Sequence, residues 1–241
     1  MNVAKVRSRS RLFLFMGALG VAAMVLGFGG TYFLPVARGE FDGPWWLHVH
    51  GALAIGWVLL FALQPVLVHR RQLRWHRRLG QSALPLALAV AATMIPAGMV
   101  QVRRELALGL GDTAISAILG VLTSGVLFVG LVTAGYRARR TPEAHARWML
   151  LATIVVLWPA WFRFRHFLPW IPRPEIWLAL VLSDVWIVVA MVHDRIVRGA
   201  VHPVLRWGGL VVILWQVAEV LSFDQPWWRT LARSLWQVLG P

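Results

Sequence analysis

An all-α fold, a polytopic transmembrane helical bundle of about seven spans with its N-terminus in and its C-terminus out, is the class this sequence predicts. Apolar runs of about 20 residues recur along the chain, and at a rise of 1.5 Å per residue that length crosses a hydrocarbon core of about 30 Å. Such runs must be helical, because lipid offers the backbone no hydrogen-bond partner. The composition agrees, with 59% of the 241 residues hydrophobic and a mean hydropathy of +0.65. The basic residues fall in the breaks between the runs, dense in one break and sparse in the next.

The spans are expected at about 12–34, 45–68, 81–102, 113–135, 147–167, 175–193 and 204–223, in one transmembrane domain covering 1–241, with boundaries good to a few residues. Lys5, Arg7, Arg9 and Arg11 before the first run resemble a signal peptide, but the run is too long for one and Pro35-Val36-Ala37 is a poor cleavage site, so an uncleaved span is expected. The breaks on that same side hold Arg70, Arg71, Arg74, Arg77 and Arg78, then Arg137, Arg139, Arg140 and Arg147, then Arg195, Arg198 and Arg206. Together these are 16 of the 24 Lys and Arg residues. In short loops such a bias marks the cytoplasmic side.

Topology therefore accounts for the formal net charge of +14, and no nucleic-acid partner is expected. The expected partners are the lipid bilayer and, at the cytoplasmic face, anionic lipid headgroups met by Leu73-Arg74-Trp75-His76-Arg77-Arg78. Many of the 15 Trp residues, Trp45, Trp75, Trp170 and Trp207 among them, sit at span ends as an aromatic belt. Trp57, Trp158, Trp186 and Trp215 lie deeper. After the last span, Trp227, Trp228, Leu231, Leu235, Trp236 and Leu239 recur at helical spacing, predicting a short outer interfacial helix at about 226–239.

With no cysteine, disulfides, thiolate chemistry and Cys-ligated metal clusters are excluded. No P-loop, Gly-rich dinucleotide turn or nucleophile elbow occurs. The pointers to function are polar residues at membrane depth, which are costly there and face the bundle interior. His50, Trp57 and Gln64 follow at steps of seven and share one helix face. Arg163 and His166 form an i, i+3 pair, as do Gln216 and Glu219, and Asp184 lies near mid-membrane. Gln64, Arg163, Asp184 and Glu219 are the candidates for an intramembrane polar pocket. Alternatively, Asp184 and Glu219 pair with Arg163 or Arg165 and only hold helices together.

The histidines form two groups, His48, His50 and His166 on one side and His69, His76, His145, His193 and His202 on the other. A two-haem b-type cytochrome needs such groups, because each haem takes axial imidazoles from facing helices at equal depth. His50 with His166 is the expected outer pair, and His69 or His76 with His145 or His193 the inner one. His48 and His50 stand at i and i+2, on different helix faces, so no separate metal site is expected.

Taken in order, His48-x-His50-Gly51, Gln64-Pro65, His76-Arg77-Arg78-Leu79-Gly80, His145-x-Arg147-x-Met149-Leu150 and Asp194-x4-Gly199-x2-His202-Pro203 resemble a bacterial family of integral-membrane proteins known only as a domain of unknown function. The likeness covers roughly residues 45–215 and rests on order and spacing. It implies a multi-pass protein of the bacterial cytoplasmic (inner) membrane and brings no activity, substrate or cofactor. From the residues themselves, Thr141-Pro142-Glu143 reads as a helix start, with Thr as N-cap and Pro at the first position. Gly199 and Pro203 shape the turn into the last span. Three function classes follow: a membrane protein binding b-type haem for redox chemistry, a small-molecule or proton-coupled transporter using Asp184 and Glu219, and a structural or sensory subunit without catalysis.

Overall fold

The computed structural model describes residues 3–240, with side chains from Arg11 onward; the side chains of Lys5, Arg7 and Arg9 in the basic tail are not among those described. Among the described residues there is no strand, and seven helices are long and apolar enough to cross a membrane. They are α1 (Arg11–Arg38), α2 (Trp46–His69), α3 (Leu73–Ala107), α4 (Asp112–Arg140), α5 (Pro142–His166), α6 (Glu175–Arg198) and α7 (Val204–Ser222), followed by an amphipathic α8 (Pro226–Leu239). The connections α2–α3, α4–α5 and α6–α7 lie at one end, the arginine-rich end.

Several helices outrun their apolar runs. The basic stretch Leu73–Gly80 is itself helical and joins the rest of α3 through a turn at residues 81 and 82. Helix α5 starts at Pro142, five residues before the apolar run expected from 147. Headgroups and water tolerate charge, so a helix need not stop where hydrocarbon does. Thr141 does stand at the N-cap of α5 with Pro142 at the first position, but its side chain makes no cap hydrogen bond. Gly199 ends α6 with φ +82°, a left-handed conformation that favours glycine, and its N–H closes onto Arg195 O at 3.0 Å. Pro65, Pro96 and Pro159 lie inside helices, as bilayer-spanning helices allow.

Helix α5 is the hub. It packs against α1, α2, α4, α6 and α7, while α1, α2, α3, α4, α7 and α6 contact one another in that order around it. The hub is also the most buried and the least hydropathic of the seven spans. Leu150, Leu151, Ala152 and Val155 are sealed in it. Small residues let backbones approach, as membrane packing requires where no water drives helices together. A Cβ on Gly17 of α1 would stand 2.9 Å from Ala62 Cα of α2, and one on Gly209 of α7 would stand 2.7 Å from Ile187 of α6. One on Gly27 would run into the Ala160 backbone of α5.

At the arginine-rich end α5, α6 and the turn into α7 are tied by buried charge. Arg147, 4% exposed, donates Nε to Asp194 Oδ2 at 2.8 Å and Nη2 to Oδ1, and Nη1 to Glu143 O at 2.7 Å. Asp194, 2% exposed, also accepts the His202 N–H at 3.2 Å. The half-exposed pair Arg198–Glu143 flanks this one. His202 Nδ1 accepts the Val204 N–H at 3.1 Å, which leaves that nitrogen unprotonated. Burial, then Arg147 and Arg198, hold the His202 imidazole below its ordinary pKa.

At the opposite end α8 forms a second apolar core, setting Trp228 and Ala232 on Met99 and Val102 of α3 and Ile118 and Leu119 of α4. Trp228 Nε1 donates to Ser116 O at 2.9 Å, and Arg233 pairs with Asp112. Asp224, in the turn before α8, accepts from Thr113 and Ser116 of α4, both at 3.0 Å, and from Arg229 at 2.8 and 2.5 Å. The Arg229 guanidinium, with Ser116 and Thr113, holds the Asp224 carboxyl below its usual range.

Asp194→Ala leaves Arg147 buried without a counterion and should cost about 3–5 kcal/mol in detergent unfolding. Glu143→Ala, at a pair open to solvent, should cost roughly 1 kcal/mol or less. Asp224 contributes stability that is present above the pKa of an unfolded aspartate, about 3.9, and is lost as pH falls through its lower folded value. Hydrogen exchange in α8 should therefore speed up on acidification below about pH 4, and Asp224→Asn should flatten that dependence.

Candidate functional site

A cavity of about 490 Å³ opens at the arginine-rich end between α1, α2, the first turns of α3, the end of α4 and the start of α5. Its walls are mostly apolar, with Phe13 from α1, Trp57, Phe61 and Val68 from α2, and Met149 from α5. Gln64, His76 and His145 bring polar atoms to it, and Arg77, Tyr136 and Arg139 line its exposed rim. Helices α2 and α5 supply much of its lining. Deeper in, Trp57 bridges them, donating Nε1 to Thr153 of α5 at 3.2 Å with its ring edge-on to Phe128 at 4.8 Å.

His76 and His145 meet across this end from different helices, their ring centroids 6.5 Å apart and their planes at 84°. His145 sits in the first turn of α5, and its Nδ1 lies 2.8 Å from Gly135 O. A carbonyl only accepts, so the proton is on Nδ1, and in the neutral ring Nε2 carries the lone pair. That arrangement, one ring nitrogen held by a backbone carbonyl and the other left to bind, is the one metal-ligating histidines adopt. His76 Nδ1 is buried without a partner. Both side-chain atoms of Gln64 are likewise buried and unpartnered, although Gln64 stands on α2 beside Gly80. Buried polar groups are almost always hydrogen-bonded, so these three orphaned atoms must be met by whatever fills the cavity, water or ligand.

The other predicted residues are dispersed. His50 Nδ1 faces Thr93 Oγ1 of α3 at 2.9 Å. Thr93 spends its single proton on Ala89 O at 2.8 Å, so His50 is the donor. His166 is exposed in the last turn of α5, and no hydrogen bond or ring contact joins it to His50 among the described residues. His48 turns away to Tyr32, its Nδ1 2.9 Å from the hydroxyl. Arg163 donates to Pro159 O at 2.9 Å and lies over the Phe28 ring at 4.2 Å, and Arg165 lies over Phe162. Neither arginine pairs with Asp184 or Glu219. Asp184 instead meets the side-chain amide of Gln216, which donates to its oxygens at 2.6 and 3.0 Å when the amide is turned with its nitrogen toward the carboxylate, and Glu219 meets the Thr123 hydroxyl. These groups tie α6 to α7 and α7 to α4. Gln64, expected among them, belongs to the cavity at the other end.

Tyr136 and Phe13 are cavity residues that the sequence did not single out, while Arg139 entered it only as a loop charge and Met149 only within the family pattern; none of the four was expected to line a cavity. Nothing in the sequence marks them, since only the tertiary arrangement brings them to one wall. Arg147 and Asp194 could have been matched: opposite charges on the same side, each just inside a span end. Among the described residues no three His, Asp or Glu side chains gather as a free metal ion would require. No known protein family, curated protein or solved structure matches the chain.

In the ligand-free protein the Gln64 amide is a buried group without partners, which costs about 1–3 kcal/mol. Gln64→Leu, close in volume, should therefore raise the thermal unfolding midpoint of ligand-free protein in detergent. A lowered midpoint would mean that the amide is already satisfied.

Proposed function

We propose that this chain is a b-type haem protein of the membrane, with redox chemistry as its function and the iron held between His76 and His145. One observation carries the reading: two imidazoles from different helices stand 6.5 Å apart at a largely apolar cavity of about 490 Å³. Two imidazoles bound to opposite sides of one metal ion, with bonds of about 2 Å each, hold their ring centroids about 6 Å apart. The Nδ1–H of His145, fixed by Gly135, presents Nε2 for ligation. The mainly apolar wall suits a macrocycle and keeps water from it. Bound there, haem would supply one-electron transfer, and the protein residues set its potential through the axial imidazoles and the surrounding burial.

The reading puts the haem at one membrane face only. His50, engaged with Thr93, and His166, exposed, do not form a second axial pair in it. The arginine-rich end faces the cytoplasm of a bacterial inner membrane in this proposal, as the loop charges favour. There Arg74, Arg78 and Trp75 meet anionic headgroups, with Arg78 stacked on the Trp75 ring at 5.5 Å.

Protein purified in detergent from haem-replete cells should show a Soret band and, after dithionite, sharp α and β bands, with about one haem per chain. His76→Ala and His145→Ala should each abolish the low-spin spectrum, while His50→Ala and His166→Ala should keep it. A colourless wild-type protein, or one in which both inner-pair variants keep the spectrum, would sink the proposal.

A further inference from the structure

The carboxylates of this chain are few, 10 Asp and Glu against 24 Lys and Arg, and they are not spread evenly among the arginines. Arg147 and Arg198 take Asp194 and Glu143 at one end of the bundle, and Arg229 and Arg233 take Asp224 and Asp112 at the other. Arg77 and Arg139, both exposed and both lining the cavity, meet no carboxylate among the described residues. Each is steadied by its own helix end. Arg77 donates Nε to Leu73 O at 3.3 Å; Arg139 donates Nη1 to Tyr136 O at 3.1 Å with its guanidinium 4.5 Å from the Tyr136 ring centre. Most of their donors stay unused, in a fork geometry that matches carboxylate. They come from different helices, Arg77 from the start of α3 and Arg139 from the end of α4.

An apolar cavity with two such arginines at its rim selects an amphiphile: an apolar body with acidic groups at one edge. Haem has that shape, with two propionates on one side of the ring. Resting on the haem reading, we propose that Arg77 and Arg139 bind the haem propionates, so that this site recognises a dicarboxylate tetrapyrrole and fixes its orientation with the acid edge toward the headgroups. The carboxylates would then neutralise two of the uncompensated cations at this face.

The test compares two porphyrins that differ only at that edge. Apoprotein from haem-starved cells is titrated in detergent with haemin and with haemin dimethyl ester, following the Soret band. For Arg77→Gln and Arg139→Gln, affinity for haemin should fall about tenfold each, the factor that corresponds to about 1.4 kcal/mol. Affinity for the ester should stay within about threefold of wild type, which also shows that the variants are folded. Equal losses for the two porphyrins, or no loss for haemin, overturn the clamp while leaving axial ligation by His76 and His145 standing. If neither porphyrin gives a low-spin spectrum with wild-type protein, the haem reading itself fails and the clamp with it. If the substitutions spare haemin binding but remove co-purifying phosphatidylglycerol, the arginines hold a lipid headgroup and the clamp is wrong.

Discussion

A guanidinium and a carboxylate taken out of water must stay together, because either alone is intolerable there, and Arg147 and Asp194 are such a pair. Their bond does not merely add stability. It fixes the first turns of α5 against the last turns of α6, and the His202 N–H brings the turn into α7 to the same carboxylate. His145 stands two residues before Arg147 in the same first turns of α5, with its imidazole held by Gly135 O. The hub helix takes its register from this end, and the cavity inherits its shape from the hub.

Charge is sorted at the two ends in different ways. At one end carboxylates are present in sufficient number, and Asp112 and Asp224 pin α8 across α3 and α4. At the other the buried pair takes one carboxylate and Glu143 another, and a ring of arginines is left facing outward. Midway between, Asp184 and Glu219 have neutral partners, an amide and a hydroxyl. The bilayer interior thus keeps its acids hydrogen-bonded without counterions, which is how isolated polar groups persist at that depth.

The fold class was legible because the bilayer imposes one length and one secondary structure on every crossing, and both are periodic features of a sequence. Helix ends were less so: Leu73–Gly80 is too basic to count as apolar, yet it is helical because headgroups accept its charge. The candidate site was legible in part. Side and spacing offered His69 or His76 with His145 or His193 as the inner pair, and the structure sets His76 and His145 ring to ring. His50 and His166 carry the same sequence signal, but Thr93, which takes His50, sits more than 40 positions away with no mark on it. The two acids at membrane depth were matched to arginines on charge alone, whereas Gln216 and Thr123 answer them. Which helices are neighbours decides such matters, and no local pattern encodes that.

The ring around α5 has an order that chain synthesis cannot follow in one pass. Helices α1 to α4 emerge in sequence and pack side by side, forming an open arc. Helix α5 enters its concave side before α6 and α7 exist, and the arc closes only when α7 reaches α4. Until then the span least suited to lipid has one flank bare, with Arg147 lacking the Asp194 that a later helix supplies. The completed ring therefore couples α5 to helices made after it, since Arg147 meets its carboxylate only once α6 is in place.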